Sequence, residues 1–426
     1  MGRMKMRGFL VMLGALALGG CPRPVSKPEL PTPPPIPTPT PAPPPPPTPY
    51  VPNKKLETGR IFNGMQYKVT LETEVGTTAT RDRDVPENYQ AELTVKVKVP
   101  KAYTELEELK RLNAQLPELL PALPQLLERA KASPFFDDLY RLKCANLRAA
   151  MNRLDNLLTR HNFYDCETIL ELQHPETKRR ALLIQADMDV DEDGSDPDRI
   201  PEVDSSSLTF QPFTSYRWLK KSDRVNPFLA SRQARLDKAK ADLAVPGVPP
   251  AKAKDLRATI EQVEQDIYSL TRYNFLVGSV DPFIVLPGSI VGKGSPFSPA
   301  TGDYCVVIFD KMIYPAVVGD VGPAYKMGEA ALRIAKQINA QADPNNRATS
   351  DLKATYLVFP GTAEKPFAVP DLTKWRTRCE KLVAELGGHA GELFVWEDLT
   401  KPPPAPAPGQ APAPAPESKP ATAPGP

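Results

Sequence analysis

Asp320 and Glu329 are the residues on which chemistry without a metal or cofactor could rest. Two carboxyl groups suffice to hydrolyse a glycosidic bond. One protonates the leaving oxygen, and the other acts as base or nucleophile. The stretch that holds them, Met312 to Asn339, reads M-I-Y-P-A-V-V-G-D-V-G-P-A-Y-K-M-G-E-A-A-L-R-I-A-K-Q-I-N. Its apolar start, Met312 to Val318, predicts a strand, and Gly319 to Pro323 predict a tight turn out of it. Gly328-Glu329 then opens a predicted helix with Ala331, Leu332, Ala335 and Ile338 on one face. Asp320 would sit at the strand end and Glu329 in the first helical turn. A separation of nine residues in sequence permits any distance up to about 30 Å, so spacing alone does not make a working pair. The same acids would also suit a turn cap and a helix N-terminus, where the dipole favours negative charge.

Other chemistries find less support. The histidines are His161, His174 and His389, and no H-E-x-x-H or C-x-x-C motif occurs. A zinc site or a Ser-His-Asp triad is therefore not expected. Gly292-Lys293-Gly294 lacks the Lys-Ser/Thr ending of a P-loop, and Gly288-Ser289 lacks the G-x-S-x-G pattern. With 53 basic and 51 acidic residues the net charge is +2. Such a balance supplies no field for nucleic acid, and none is expected as a partner.

From Asp187 to Asp204 the chain is densely acidic: Asp187, Asp189, Asp191, Glu192, Asp193, Asp196, Asp198, Glu202 and Asp204, opposed only by Arg199. Three readings stay open. The acids could wall a cleft for a polycationic sugar chain, with exposed pairs each adding about 0.2–1 kcal/mol. They could hold Ca2+, since Asp189, Asp191, Asp193 and Gly194 fit positions 1, 3, 5 and 6 of an EF-hand loop. Ile200, however, stands where the bidentate Glu belongs. They could also be a solvated loop. Phe210, Phe213, Tyr216 and Trp218 follow, as core or as stacking surfaces for sugar rings.

V-V-G-D-V-G-P-x-x-x-x-G-E-A-A-L-x-I-A resembles the signature of family 75 glycoside hydrolases, the fungal-type chitosanases. D-M-D-V-D-E-D-G-S-D at Asp187 to Asp196, D-P-F-I-V-L-P at Asp281 to Pro287 and Y-L-V-F-P-G at Tyr356 to Gly361 are similar to it as well. The resemblance covers roughly Asn162 to Leu399. It implies an α+β protein built on a small β-barrel of the double-psi type. It implies endo-cleavage of the β-1,4-glucosamine links of chitosan by inversion, with Asp320 and Glu329 as the acidic pair. Substrate contacts are expected from Asp187, Asp189, Asp191, Asp193, Asp196, Asp281 and Tyr314. The longer reach of Glu favours Glu329 as acid and Asp320 as base, although a helix start would suit Glu329 as base. No cofactor is expected, apart from Ca2+ in the acidic loop if that loop holds it. A lytic transglycosylase acting on peptidoglycan and a non-catalytic glycan-binding envelope protein are the competing readings.

Positioning these residues falls to the rest of the chain. Arg3, Lys5, Arg7 and a short apolar run make 1–20 a signal segment, too short to span a bilayer stably. Leu18-Gly19-Gly20-Cys21 looks like a bacterial lipobox. The expectation is a lipid-modified Cys21 in the bilayer, outer-membrane or cell-surface placement, and a proline-rich linker over 21–52. A β-hairpin of Tyr67 to Val75 with Tyr89 to Val99, then helix from Thr104 to His161, fill 53–161. Ser133-Pro134 reads as an N-cap and first helical residue. Within the catalytic region, 162–400, an inserted helical hairpin spans 229–272, with Leu256, Ile260, Val263, Ile267 and Leu270 as its seam. Strands are expected at Ala181–Ala186, Phe275–Val277, Phe283–Leu286, Tyr304–Phe309 and Tyr356–Phe359. A last helix is capped by Asp371 and ended by Gly387, and 401–426 form a Pro/Ala tail. Cys144, Cys166, Cys305 and Cys379 could pair or remain buried thiols.

Overall fold

The computed structural model describes residues 75–83, 85–88, 94–151, 164–202, 207 and 209–401. The signal segment, Cys21, the 21–52 linker and the 402–426 tail lie outside them, as do Leu154, Leu158, Asp204 and residues 67–74 and 89–93 of the expected hairpin. Residues 94–100 are described and form no strand. Val97 and Val99 stay exposed there, and of the described residues of that face only Val95 packs, against Leu147 and Ala150.

The expected helical stretch after Thr104 is cut by its prolines. Helix α1 (Leu106–Leu112) starts on a reciprocal cap between Glu105 and Glu108. Helices α2 (Leu116–Leu119) and α3 (Leu123–Leu127) each carry a proline in the first turn. A proline lacks the N–H that would join it to a preceding turn, so the chain restarts at each one. Leu109, Leu116 and Leu123 become fully buried in this way. After the short β1 (Lys131–Ala132), α4 (Pro134–Ala150) begins at Ser133, whose Oγ accepts from Phe135 N at 3.4 Å.

Six strands close a barrel. In chain order they are β3 (Arg180–Asp191), β6 (Phe283–Pro287), β7 (Tyr304–Phe309), β8 (Met312–Gly322), β9 (Glu329–Ala331) and β10 (Thr349–Val358). Around the ring the order is β3-β10-β7-β8-β6-β9, and β9 returns to β3. The β3–β9 and β6–β8 pairs are parallel and the other four antiparallel. Strand β2 (Cys166–Gln173) pairs with residues 180–186 of β3, whereas β9 pairs with Asp189 to Asp191. One edge of β3 thus serves two neighbours, and the barrel closes only along the acidic half. Both faces of these strands are covered, which is why they read as continuous apolar runs such as F-I-V-L and Y-C-V-V-I-F.

The insertion leaves and returns through a two-stranded sheet, β4 (Arg217–Leu219) paired with β5 (Tyr273–Phe275). Between them α5 (Leu229–Ala244) and α6 (Pro250–Arg272) form the expected hairpin. Val263 and Leu270 are fully buried in its seam. Helix α7 (Leu332–Ile338) follows β9 directly. Helix α8 (Leu372–Glu385) buries Trp375, Cys379, Leu382 and Val383. Its Asp371 cap accepts from Lys374 N at 2.9 Å, and Gly387 ends it at φ +118°. Cys144, Cys166, Cys305 and Cys379 are all free thiols.

Candidate active site

Asp320 lies inside a strand, not in a turn beyond it. Strand β8 continues to Gly322, and its register against β6 slips by one between Ile284↔Val318 and Val285↔Asp320. Gly319 is the extra residue of that bulge, and a bulge re-aims the side chain that follows it. The position also needs glycine for space. A Cβ there would stand 2.5 Å from the Phe283 side chain. Gly319→Ala is therefore expected to cost about 1–3 kcal/mol through overpacking. Thermal melting would register this as a lowered Tm, and an unchanged Tm would show that Phe283 yields freely.

Glu329 is likewise a strand residue. It opens β9, where it pairs with Val285 on one side and with Asp189 on the other. Helix α7 starts only at Leu332. The expected helix-terminal field at Glu329 is thus replaced by sheet pairing, because β3 and β6 both offer open edges to this short strand. Gly328 permits the approach at φ +79°, where a Cβ would lie 2.4 Å from the Asp187 carbonyl. Asp320 and Glu329 are both register partners of Val285. They flank one residue across three adjacent strands, about 9–10 Å apart at their backbones.

Both acids face a cleft of about 410 Å³, lined also by Asp191, Asp193, Gln211, Phe213 and Ser215. The Asp320 Oδ1 accepts from Ser215 N at 2.9 Å, Ser215 Oγ at 2.6 Å and Val321 N at 2.7 Å. Burial raises the Asp320 pKa, and these three donors hold it down. Glu329 is pushed up to about 8, first by burial, then by the charges of Asp191 and Asp189, with Lys326 opposing. Asp193 is pushed up to about 7 by burial against the Gln211 amide, with Asp320 and Glu329 adding to the rise. Asp191 is raised by burial and by Asp193 and Asp320. Asp191, Asp193 and Asp320 each place one carboxylate oxygen within 4.8 Å of the others, close enough for a cation to bridge.

The remaining expected site residues are elsewhere. Asp187 and Asp189 turn to Arg347, at 2.7 and 2.8 Å, and all three are buried. Asp196 and Asp281 share Arg199, which also lies 5.2 Å over the Trp218 ring. Tyr314 packs against Phe394 and Trp396, at ring distances of 5.2 and 5.9 Å. Four of the seven expected contacts are thus carboxylates paired with arginines, Arg347 buried and Arg199 partly so, and one is core. An EF-hand is not formed: Asp189 belongs to strand β3 and to Arg347. Of the aromatic run only Phe213 lines the cleft, while Tyr216 stacks on Phe367 at 4.3 Å. Ser215 and Gln211 were not foreseen. Ser215 meets Asp320 across 105 residues, and nothing local in T-S-Y marks it.

No curated protein matches the chain. Residues 188–390 match the family described as fungal chitosanase of glycosyl hydrolase group 75. That span contains the bulged strand, both acids that flank Val285 and every residue lining the cleft. Residues 188–390 are accordingly a glycoside hydrolase domain of family 75, and the chain is an enzyme that hydrolyses glycans.

Proposed function

We propose that this domain cleaves the β-1,4 links of chitosan-type glucosamine polymers internally and with inversion, using Glu329 as general acid and Asp320 as general base. The supporting observation is the unequal environment of two acids placed across Val285. Glu329, held up to about 8, keeps its proton at neutral pH and can give it to the glycosidic oxygen. Asp320 accepts three hydrogen bonds that favour its charged form and can take a proton from water. The two backbones lie two strand spacings apart, and carboxyls about 6.5–9.5 Å apart would admit that water, against about 5–5.5 Å for a retaining pair. Asp191 and Asp193 add two more acidic groups to the cleft, which can ionise beside a cationic glucosamine unit.

The test is reducing-end release from chitosan, chitin and peptidoglycan, with NMR of the first anomer formed. Chitosan is the expected substrate, and α-anomer the expected first product from a β-link. A β-anomer would reject inversion. Turnover of peptidoglycan to anhydro-sugars, with none of chitosan, would replace the proposal with a transglycosylase.

A further inference from the structure

We infer that the buried Lys143–Asp165 pair, which precedes the family-matched segment, positions Glu329 for catalysis. The inference rests on the reading of Glu329 as a reacting group. Lys143 lies on α4 and is 1% exposed; Asp165, just before β2, is 2% exposed. Lys143 is the charged residue on an otherwise apolar or aromatic buried face with Phe135, Phe136, Leu139, Tyr140 and Leu147. Its Nζ donates to Asp165 Oδ2 at 2.6 Å and to the Tyr325 carbonyl at 2.6 Å. The same Oδ2 accepts from Met327 N at 3.1 Å. One ion pair therefore holds a C=O and an N–H of the segment that joins β8 to β9, that is, Asp320 to Glu329.

The segment needs such a hold. Strand β9 has three residues, too few to set its own register. A slip of one residue would turn Glu329 out of the cleft. Asp165 is itself fixed to the barrel, since its carbonyl accepts from Asp187 N at 3.1 Å. Helix α4 is fixed to the same place by Tyr140, whose hydroxyl donates to the Cys166 carbonyl. The clamp thus ties β9 to β3 through a helix outside the matched family segment. An apolar pair of similar volume could fill the same space and strand no charge. What an apolar pair cannot do is grip two backbone groups of one loop.

The experiment compares Lys143→Met and Lys143→Met/Asp165→Leu with wild type and Glu329→Gln, all as full chain on chitosan. Both Lys143 variants are expected to lose roughly 100-fold in kcat with KM little changed, as for a reacting group displaced by about 1 Å. The double variant strands no charge and is expected to keep a cooperative melt, with Tm lowered by the two backbone groups it leaves unpaired, so its lost turnover is not lost folding. The alkaline limb of the pH profile should move to lower pH as water reaches Glu329. Wild-type kcat in either folded variant overturns the inference. Hydrogen exchange on the wild type reads the clamp directly. The Met327 amide should exchange as slowly as the barrel strands, and exchange at the rate of exposed loops overturns it. An active Glu329→Gln removes the catalytic reading and this role with it. An inactive Glu329→Gln beside a fully active Lys143→Met removes this role alone.

Discussion

Glu329→Gln is expected to lose chitosan hydrolysis by a factor of about 100 to 10,000 while still melting cooperatively, and Asp320→Asn is expected to do the same. The two losses have different causes, and pH separates them. In wild type a general acid must be protonated, so kcat/KM falls tenfold per unit once pH passes the Glu329 value of about 8. The acid limb is expected from Asp320, whose pKa burial lifts above the usual carboxylate value. Four acids share the cleft, so both limbs are macroscopic values of the cluster. A profile on a soluble oligomer that stays flat through pH 9.5 would exclude Glu329 as acid.

The same shift makes a stability statement. Glu329 binds its proton more tightly folded than unfolded. Its contribution is fully present below the unfolded value, near 4.5, and is lost as pH rises through about 8. Glu329→Gln removes that dependence. The side chain keeps some surface on the cleft, so the gain for the variant above pH 8 is roughly 2 kcal/mol and not the full value of the shift. Denaturant melts at pH 5 and pH 8.5 should show the variant gaining on wild type at the higher pH. An acid that costs stability where it works is the expected signature of an active site.

Local pattern carried much of this molecule and stopped at identifiable places. Apolar runs placed β6, β7 and β10, and caps placed α4 and α8, because burial on both faces and orphan N–H groups act over a few residues. Closure of the ring was not local. It depends on Glu329 to Ala331 lying beside Asp189 to Asp191, a pairing that A-A-L-x-I-A conceals by reading as a helix. The glycines around Asp320 signalled a departure from regular strand. Whether that meant a turn or a bulge was decided by β6, which runs alongside and keeps the ladder going. Strand β2 went unread because Glu167 and Glu171 break its apolar run. The two acids that face the cleft were legible by type and their surroundings were not: Ser215, which donates to Asp320, comes from the loop before β4.

Arg347→Met is expected to destabilise the fold by about 3–5 kcal/mol, the cost of stranding buried charge. A cleft wall or a solvated loop, two of the three readings open for the acidic run, would leave these acids in water. Instead Asp187 and Asp189 are 2% and 8% exposed, and Arg347 at 6% reaches both. Removing the guanidinium leaves two carboxylates beside a third, Glu329, with which Asp189 is in register. A surface ion pair would be worth about 0–1 kcal/mol and would fade with salt. This one should be large and nearly independent of salt, because water and ions do not reach it. Breaking the network and replacing it differ in cost. Arg347→Met/Asp187→Asn/Asp189→Asn carries no stranded charge and should recover most of the loss. Denaturant unfolding at low and high salt measures all three proteins. A single variant within about 1 kcal/mol of wild type would mean that the acids are solvated after all, and that the seam where β3 meets β9 opens to water.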